Sequence, residues 1–397
     1  MTIATITSLG HKGEGIAEID GRRVFVPLAL AGERVRIEAE GERGTLVEVL
    51  EASADRGDPF CPHFGTCGGC QLQHLSRPAY EAFKIALIET PLRHQGIDAS
   101  VARFVDAAGA GRRRATLHAR DEGAGYMRLR SHEVADIERC PILVPALARA
   151  PEIARAVHAA VGEADVAFTA TLTGLDIAVR TERKRADGNR LMPLMARFGL
   201  ARLALNGELL AQAANPRIRM GRAEVELPIG SFLQATDAAE EALAAYVVDA
   251  VGKTKTVADL FCGIGPFALR LAEKARVTAH DSDRAGIAAL DKAARHTSGL
   301  KQTAARARDL FRDPVTRFEL ADFDCVVLDP PRAGAEAQTR EIAASKLRHV
   351  VMVSCDPRTF ARDARILLDA GFALGNLVAV DQFAWSTHVE IAATFRR

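Results

Sequence analysis

The sequence predicts a protein of the α/β class built from three parts: a small N-terminal β-barrel, a central α+β domain and a C-terminal doubly wound sheet. Three observations support this. Short β-rich pieces fill residues 1–52, strand and helix patterns mix over 53–230, and apolar strands alternate with amphipathic helices over 231–397. A chain of 397 residues is also too long for one ordinary core. We therefore expect three domains with these boundaries.

The composition is that of a globular protein, with 48% hydrophobic and 26% charged residues. The formal net charge of +1 gives no overall basic excess, so any surface that binds nucleic acid must be local. No apolar run reaches the length of a membrane span, and the first residues lack the pattern of a signal peptide. A cytoplasmic protein without membrane association is expected, and the sequence indicates no obligate protein partner. Its seven cysteines are then reduced thiols or metal ligands rather than disulfides.

The N-terminal part consists of short strand-like pieces, among them "TIATITSL", "GIAEI", "RVRIEAE" and "GTLVEVLE", separated by glycines. This pattern predicts a small antiparallel barrel. Barrels of this size often bind oligonucleotides, and a plain packing module is equally compatible with the pattern.

The central part contains two basic runs, Arg112 to Arg114 and "VRTERKR" at 179–185, after a helix predicted near 77–95. Most charge runs are solvated faces. The two basic runs alone are therefore compatible both with contact to nucleic acid and with an ordinary solvated surface.

The C-terminal part alternates strands such as "RVTAHD" and "FDCVVLD" with amphipathic stretches at 236–251, 284–296, 336–347 and 358–370. Strand and helix in series predict a doubly wound sheet of parallel strands.

A nucleotide-like ligand site is expected where these strands end. "DLFCGIGPF" places Gly263 and Gly265 between a strand and a helix, which allows a tight turn and close backbone approach. Asp281 ends the next strand, where a carboxylate can accept hydrogen bonds from ribose hydroxyls. Asp329 in "VVLDPPR" ends a further strand at the same edge. A dinucleotide and S-adenosylmethionine fit these features equally well.

Cys355 in "VMVSCDPRTF" ends a strand at this edge and precedes a helix with Pro357 in its first turn. Its thiol could be packing, a metal ligand or a nucleophile. A helix N-terminus favours the thiolate, so we expect a lowered pKa and a nucleophile. Glu390 in "STHVEIAATF" lies among apolar neighbours of the last strand, either as a solvated residue or as a base facing the crevice.

These motifs resemble the RNA uracil-5-methyltransferase family, a group of class I S-adenosylmethionine-dependent enzymes with a Rossmann-like fold. The matching segments are "SFLQAT" (231–236), "DLFCGIGPF" (259–267), "LDPPRAG" (328–334), "VSCDPRTFARD" (353–363) and "THVE" (387–390). The N-terminal barrel resembles a TRAM domain. A C-x5-C-x2-C pattern is formed by Cys61, Cys67 and Cys70, and a fourth cysteine, Cys140, follows much later in the sequence. This arrangement is similar to that of the iron–sulfur members that modify large-subunit ribosomal RNA.

The resemblance implies a mechanism through a covalent adduct. Carbon 5 of uracil is a poor nucleophile, and addition of the Cys355 thiolate to carbon 6 makes carbon 5 enolate-like and able to take a methyl group. Glu390 matches the base that removes the carbon 5 proton before the cysteine leaves.

The resemblance also assigns the cofactor pocket. Its lining residues would be Gln234, Phe261, Gly263, Gly265, Asp281, Asp309 and Asp329. The chain departs from the family pattern at Pro266, where a polar residue is usual, at Thr236, where Asn is usual, and at Ala384, where proline is common. None of these changes removes a catalytic group.

Four cysteines suit either tetrahedral zinc or an iron–sulfur cluster. The resemblance favours [4Fe–4S] over zinc on Cys61, Cys67, Cys70 and Cys140. It also implies an RNA substrate, 23S ribosomal RNA in particular. The alternatives are a transfer-RNA uridine methyltransferase, a non-catalytic RNA-binding protein that keeps the fold, and a Rossmann oxidoreductase with a redox cysteine.

Overall fold

Five N-terminal strands close into a barrel in the computed structural model, which describes residues 1–183 and 187–397. They are β1 (Thr2–Leu9), β2 (Gly15–Ile19), β3 (Arg22–Val26), β4 (Arg34–Glu40) and β5 (Arg43–Glu51). Their order around the barrel is β1-β2-β3-β5-β4, with one parallel contact between β3 and β5 and antiparallel pairing elsewhere. Alternate side chains such as Ile6, Val26 and Ile37 fill the interior. The predicted barrel is confirmed.

A long loop over 52–76 carries the first three cysteines and leads into α1 (Arg77–His94) and β6 (Arg103–Asp106). The hydroxyl of Ser76 accepts from the N–H of Ala79 and caps α1. Within α1, the ammonium of Lys84 is fully buried and lies 2.8 Å from a carboxylate oxygen of Asp381. It also donates to the carbonyls of Phe383 and His388. The helix is thereby fastened to the loop that precedes the last strand.

The central domain is built on a six-stranded sheet. Its elements are β7 (Arg114–Arg120), β8 (Gly123–Gly125), α2 (Ala150–Val161), β9 (Ala164–Thr171), β10 (Gly174–Arg180), α3 (Met192–Phe198), β11 (Leu200–Leu205) and β12 (Glu208–Gln212). The strand order is β12-β11-β10-β9-β7-β8, and α2 covers one face around Val157 and Phe168. A hairpin of β13 (Arg217–Met220) and β14 (Ala223–Glu226) follows.

The C-terminal domain contains the predicted helices close to their expected bounds. Its elements are α4 (Asp237–Val251), β15 (Thr256–Leu260), α5 (Ala268–Leu271), β16 (Arg276–Asp281), α6 (Arg284–His296), β17 (Thr303–Ala307), β18 (Cys325–Leu328), α7 (Glu336–Ala344), β19 (His349–Ser354), α8 (Pro357–Asp369), β20 (Ala373–Asp381) and β21 (Glu390–Arg396). Short 3-10 turns lie at Pro145–Leu147, Gly188–Leu191 and Glu319–Asp322.

The C-terminal sheet has eight strands in the order β17-β16-β15-β18-β19-β21-β20-β6. The first five are parallel, as the alternation of strand and helix predicted. β21 runs antiparallel to both of its neighbours, because a loop over 382–389, and not a helix, joins it to β20. Buried apolar side chains cover both faces of this sheet.

The outer edge of the C-terminal sheet comes from a distant part of the sequence. β6 pairs in parallel with β20, with Arg103 opposite Val378 and Asp106 opposite Asp381. The β13–β14 hairpin packs against α6, where Lys292 lies 2.8 Å from Glu226. Residues on both sides of the central sheet therefore contribute to the C-terminal domain. In the described part of the chain, no helix combines the length and the apolar character needed to cross a membrane.

Candidate active site

The turn after β15 forms the floor of a crevice at the carboxyl ends of the parallel strands. Phe261, Gly263 and Gly265 have φ values of 63°, 53° and 95°. At Gly265 a side chain would collide with Leu290 of α6, so glycine is needed for helix and turn to pack closely. The N–H of Gly263 donates to a carboxylate oxygen of Asp281 at 2.9 Å. Two strand ends are thus joined at the crevice floor.

Two acidic residues line the next strand ends. Asp281 ends β16, and its second oxygen accepts from the N–H of Asp283 at 2.8 Å. Asp309 follows β17, is exposed, and accepts from the N–H of Phe311 at 3.1 Å. The ring of Phe311 lies 5.4 Å from that of Phe261. Each carboxylate oxygen retains a lone pair for a ligand.

Asp259 in β15 was not singled out by the sequence analysis. Its side chain is fully buried, and neither of its oxygens makes a hydrogen bond of ordinary geometry with the described residues, although the backbone N–H of Ala268 lies near it. Burial raises the pKa of Asp259 to about 8. Native structures leave few such groups unpaired, so this one suggests that a ligand or water normally reaches it. The signal in the sequence was an acid in an otherwise apolar strand.

Cys355 and Glu390 lie beside each other at the ends of neighbouring strands. Ser354 of β19 pairs with Ile391 of β21, and Cys355 and Glu390 are the next residue of each strand toward the crevice. Glu390 is 3% exposed, whereas Cys355 is partly accessible. Asp329 directly follows β18, the other neighbour of β19. Two carboxyl groups and one thiol therefore meet at adjacent strand ends.

The expected lowering of the Cys355 pKa is wrong for this structure. Burial and the nearby carboxylates of Glu390 and Asp329 raise the pKa of the thiol to about 12. The N-terminus of α8 does follow Cys355, but the side chain of Asp356 caps it by accepting from the N–H groups of Arg358 and Thr359. A negative charge thus occupies the helix end that was expected to stabilise the thiolate.

The pKa values of the two carboxyl groups are also shifted. Burial raises the pKa of Glu390 to about 7, against the opposing effect of a hydrogen bond from Gln382. Burial, together with the charge of Glu390, raises the pKa of Asp329 well above its usual value. A carboxyl group that titrates near neutral pH is suited to accept and release a proton.

Gln234 precedes α4 and is 4% exposed. Its side-chain oxygen accepts from the amide of Gln382 at 2.6 Å, and the same amide nitrogen donates to Glu390 at 2.9 Å. Gln382 lies in the loop after β20 and carries no motif that would identify it in the sequence.

The three arginines at 112–114 have two kinds of surroundings, since one is buried among polar partners and the other two lie over aromatic rings. Arg113 is buried, where it pairs with Glu240 at 2.6 Å and donates to the backbone oxygen of Gln234. Arg114 lies 4.3 Å from the ring centre of Phe232, which is 63% exposed. Arg112 lies over the ring of Phe383 at 5.5 Å. The last two positions of the second basic run, 184 and 185, lie outside the described residues.

The four cysteines predicted to bind a metal line one small cavity: Cys61, Cys67, Cys70 and Cys140. Within residues 1–183 and 187–397, no three His, Cys, Asp or Glu side chains are close enough to hold a single metal ion. Two buried donors at the same cavity, Tyr126 Oη and Gln73 Nε2, make no hydrogen bond of ordinary geometry with the described residues and lie beside the sulfurs of Cys140 and Cys70. Such donors suit sulfur acceptors.

The cysteine loop also contacts the loop before Glu390. The N–H groups of Gln71 and Leu72 both donate to the carbonyl oxygen of Trp385. The indole of Trp385 packs against Phe60 and Tyr80. The cysteine cavity and the crevice are therefore joined through residues 382–389.

Two family models match the chain. The model described as tRNA (Uracil-5-)-methyltransferase matches residues 192–397, and the model of the TRAM domain matches residues 4–41.

Similar proteins cover the whole length. An uncharacterized RNA methyltransferase of Brucella suis is 43% identical over 99% of this chain and 97% of its own. The 23S rRNA (uracil(1939)-C(5))-methyltransferase RlmD of Halomonas elongata is 34% identical over 97% of this chain and 87% of its own. Among solved structures, Pyrococcus abyssi tRNA (uracil-54, C5)-methyltransferase in complex with S-adenosyl-L-homocysteine has a TM-score of 0.79 over 99% of both chains, at 21% identity.

Proposed function

The chain belongs to the tRNA (uracil-5-)-methyltransferase family, and from that membership we propose that it methylates carbon 5 of one uridine in 23S ribosomal RNA through a covalent Cys355 adduct. Its activity is that of an S-adenosylmethionine-dependent RNA uracil-5-methyltransferase with an N-terminal TRAM domain. This family activity excludes the oxidoreductase alternative and confirms the expected resemblance. The target RNA, the adduct and the roles of individual residues are our proposals.

The assignment of 23S RNA rests on the full-length relationship to RlmD of Halomonas elongata. The transfer-RNA methyltransferase of Pyrococcus abyssi is 21% identical and informs the fold alone. Transfer RNA remains the alternative substrate because the matching family model is described by that name. The exposed ring of Phe232 and the half-buried guanidinium of Arg114 beside it offer a stacking surface and a positive charge near Glu390, which suits an RNA strand.

The proposed roles of Cys355, Asp329 and Glu390 are supported by their meeting at adjacent strand ends. The sulfur of Cys355 adds to carbon 6 of the uracil, and the electron pair of the 5,6 double bond moves to carbon 5. Carbon 5 would then bond to the methyl group of S-adenosylmethionine, and the bond from that methyl group to the sulfonium would break, leaving S-adenosylhomocysteine. Glu390 then takes the proton from carbon 5, the 5,6 double bond re-forms, and the cysteine sulfur leaves. Asp329 lies beside both groups and would contact the uracil.

The Cys355 thiol must lose its proton before it can attack. Part of the shift of its pKa to about 12 comes from negative charge on Glu390 and Asp329. Protonation of either carboxyl group removes that contribution, and a positively charged ligand in the crevice lowers the thiol pKa further. We therefore propose that the thiolate forms only in the loaded site.

The residues proposed to hold the cofactor surround the crevice floor: Gln234, Phe261, Gly263, Gly265, Asp281, Asp309 and Asp329. Asp259 joins this set because its buried carboxyl group makes no hydrogen bond of ordinary geometry with the described residues. Positive φ angles at the glycine turn bring backbone rather than side chains to the ligand. The chain thus offers donors from the turn and carboxylate acceptors from three strand ends.

We further propose that Cys61, Cys67, Cys70 and Cys140 hold a [4Fe–4S] cluster rather than zinc. The four side chains line one cavity, and the resemblance associates their spacing with a cluster. The Tyr126 hydroxyl and the Gln73 amide lie beside the Cys140 and Cys70 sulfurs and would donate to the cluster's thiolates.

The RNA target is tested by mapping 5-methyluridine in RNA from cells with and without the gene. We expect one position of 23S RNA to lose the modification and transfer RNA to keep it. Complementation with the wild-type gene is the control. Loss of 5-methyluridine from transfer RNA alone would instead establish the alternative substrate.

The cluster is tested by purification without oxygen. We expect brown protein with iron and acid-labile sulfide in equal amounts, and we expect Cys140→Ser to lose both. Cys325→Ala is the matched control, because Cys325 is a buried thiol of β18 outside the cavity and its replacement should leave the iron in place. Colourless protein with stoichiometric zinc would contradict the cluster.

A further inference from the structure

One side chain contacts both the proposed base and a proposed cofactor ligand. Gln382 is 1% exposed and is the first residue of the loop 382–389, which joins β20 to β21. Its Oε1 accepts from the N–H of Ala235 at 2.5 Å. Its Nε2 donates to Oε1 of Gln234 at 2.6 Å and to Oε1 of Glu390 at 2.9 Å. All three contacts are buried.

These contacts fix which way the amide of Gln382 points. A backbone N–H can only donate, so the oxygen of Gln382 must face Ala235. The NH₂ group then faces Gln234 and Glu390 and gives one proton to each. The reverse orientation would place two N–H donors against each other and an oxygen against the Glu390 carboxylate.

The same contacts determine which end of the Gln234 amide and which oxygen of Glu390 remain available to a ligand. Gln234 uses its oxygen toward Gln382, so its own NH₂ group is the end left to donate to a ligand. Glu390 uses Oε1 toward Gln382, so its second oxygen is left to take a proton. Exchange of the two ends of Gln234 would be disfavoured because its NH₂ would meet that of Gln382.

We propose that Gln382 is a positioning residue that orients the Gln234 amide toward the cofactor and the Glu390 carboxylate toward the uracil at the same time. The inference rests on the proposed function of Glu390, but the orientation of Gln234 toward the cofactor can be tested without RNA. Through its one buried side chain, Gln382 would link cofactor binding to proton removal.

Glu390 is surrounded by further groups that set its protonation. Burial raises the pKa of Glu390 most and two neighbouring acidic groups add to this, whereas a hydrogen bond from Gln382 and three positive side chains favour the charged carboxylate. The positive side chains are Lys84 of α1, Arg114 of β7 and Arg332 of the loop after β18, and the acidic groups are Asp329 and Cys355. Loss of the Gln382 donor therefore raises the Glu390 pKa.

The test is Gln382→Met, which keeps most of the side-chain length and removes the amide. We expect S-adenosylhomocysteine to bind roughly tenfold more weakly by calorimetry, the effect of about one lost hydrogen bond. We also expect the pH at which half of the protein–RNA adduct has resolved to move upward. Gln382→Glu keeps the acceptor for Ala235 and places an oxygen against Glu390, so its midpoint should move further than that of Gln382→Met.

The matched control is Gln338→Met. Gln338 is equally buried, but it bonds only to the backbone of Val315, so its replacement should leave both readouts at wild-type values. A folded Gln382→Met protein with unchanged affinity and an unchanged midpoint would overturn the proposal. If wild-type protein forms no 5-methyluridine, the proposed function fails, and the calorimetric result still decides the role of Gln382 toward the cofactor.

Discussion

Cys355→Ala will abolish methyl transfer to RNA and leave the affinity for S-adenosylhomocysteine essentially unchanged. The sulfur is the only group proposed to activate carbon 5, so we expect the rate to fall by roughly four orders of magnitude or more. Cofactor affinity should persist because the glycine turn and the acids of β15 to β18 are untouched. The measurement is transfer of a labelled methyl group to unmodified RNA, alongside calorimetry.

Cys325→Ala is again the matched control, since it removes a buried thiol from the same sheet away from the crevice. We expect its turnover to stay near that of the wild type. Turnover by Cys355→Ala above background would refute the assignment of the nucleophile. Loss of cofactor binding in that variant would show that Cys355 also has a structural role.

Glu390→Gln will accumulate a covalent protein–RNA adduct. The amide is nearly isosteric but cannot take the carbon 5 proton, so methylation proceeds and elimination of the cysteine stops. The adduct is seen as a band of reduced mobility on a denaturing gel. The double variant Cys355→Ala, Glu390→Gln should give no such band, because it lacks the attacking sulfur.

The pH dependence follows from the raised pKa of Glu390, about 7. Only the carboxylate accepts a proton, so wild-type protein should resolve its adduct increasingly well as the pH rises through about 7. Below that pH the adduct should persist even in the wild type. In Glu390→Gln the adduct should persist at every pH. Free enzyme and normal product from this variant would contradict the role of Glu390 as the base.

The sequence predicted the features that depend on residues close together in the chain, such as helices and strand ends. The helices appear within a few residues of their expected bounds because amphipathic periodicity and caps such as Asp356 act within one or two turns. The placement of Cys355 at this edge also followed from strand ends alone, whereas for Glu390 the residues left both a solvated position and a position facing the crevice open. The thiol pKa could not be predicted in this way, because it depends on carboxyl groups that two other strands bring close.

The residues that sequence analysis missed have partners far along the chain. Gln382 contacts Gln234, Ala235 and Glu390, and nothing around position 382 indicates these partners. Asp259 opens the segment "DLFCGIGPF", but only the fold reveals that its carboxyl group is buried without an ordinary hydrogen bond.

The pairing of β6 with β20 makes the central domain an insertion within the methyltransferase domain. A fragment that begins near residue 231 would lack the edge strand of its own sheet and the Lys84 partner of Asp381. During synthesis, β6 must wait for β20, which comes much later in the sequence. Such non-local closure is slow, so we expect the catalytic sheet to be completed after the barrel and the central sheet have folded.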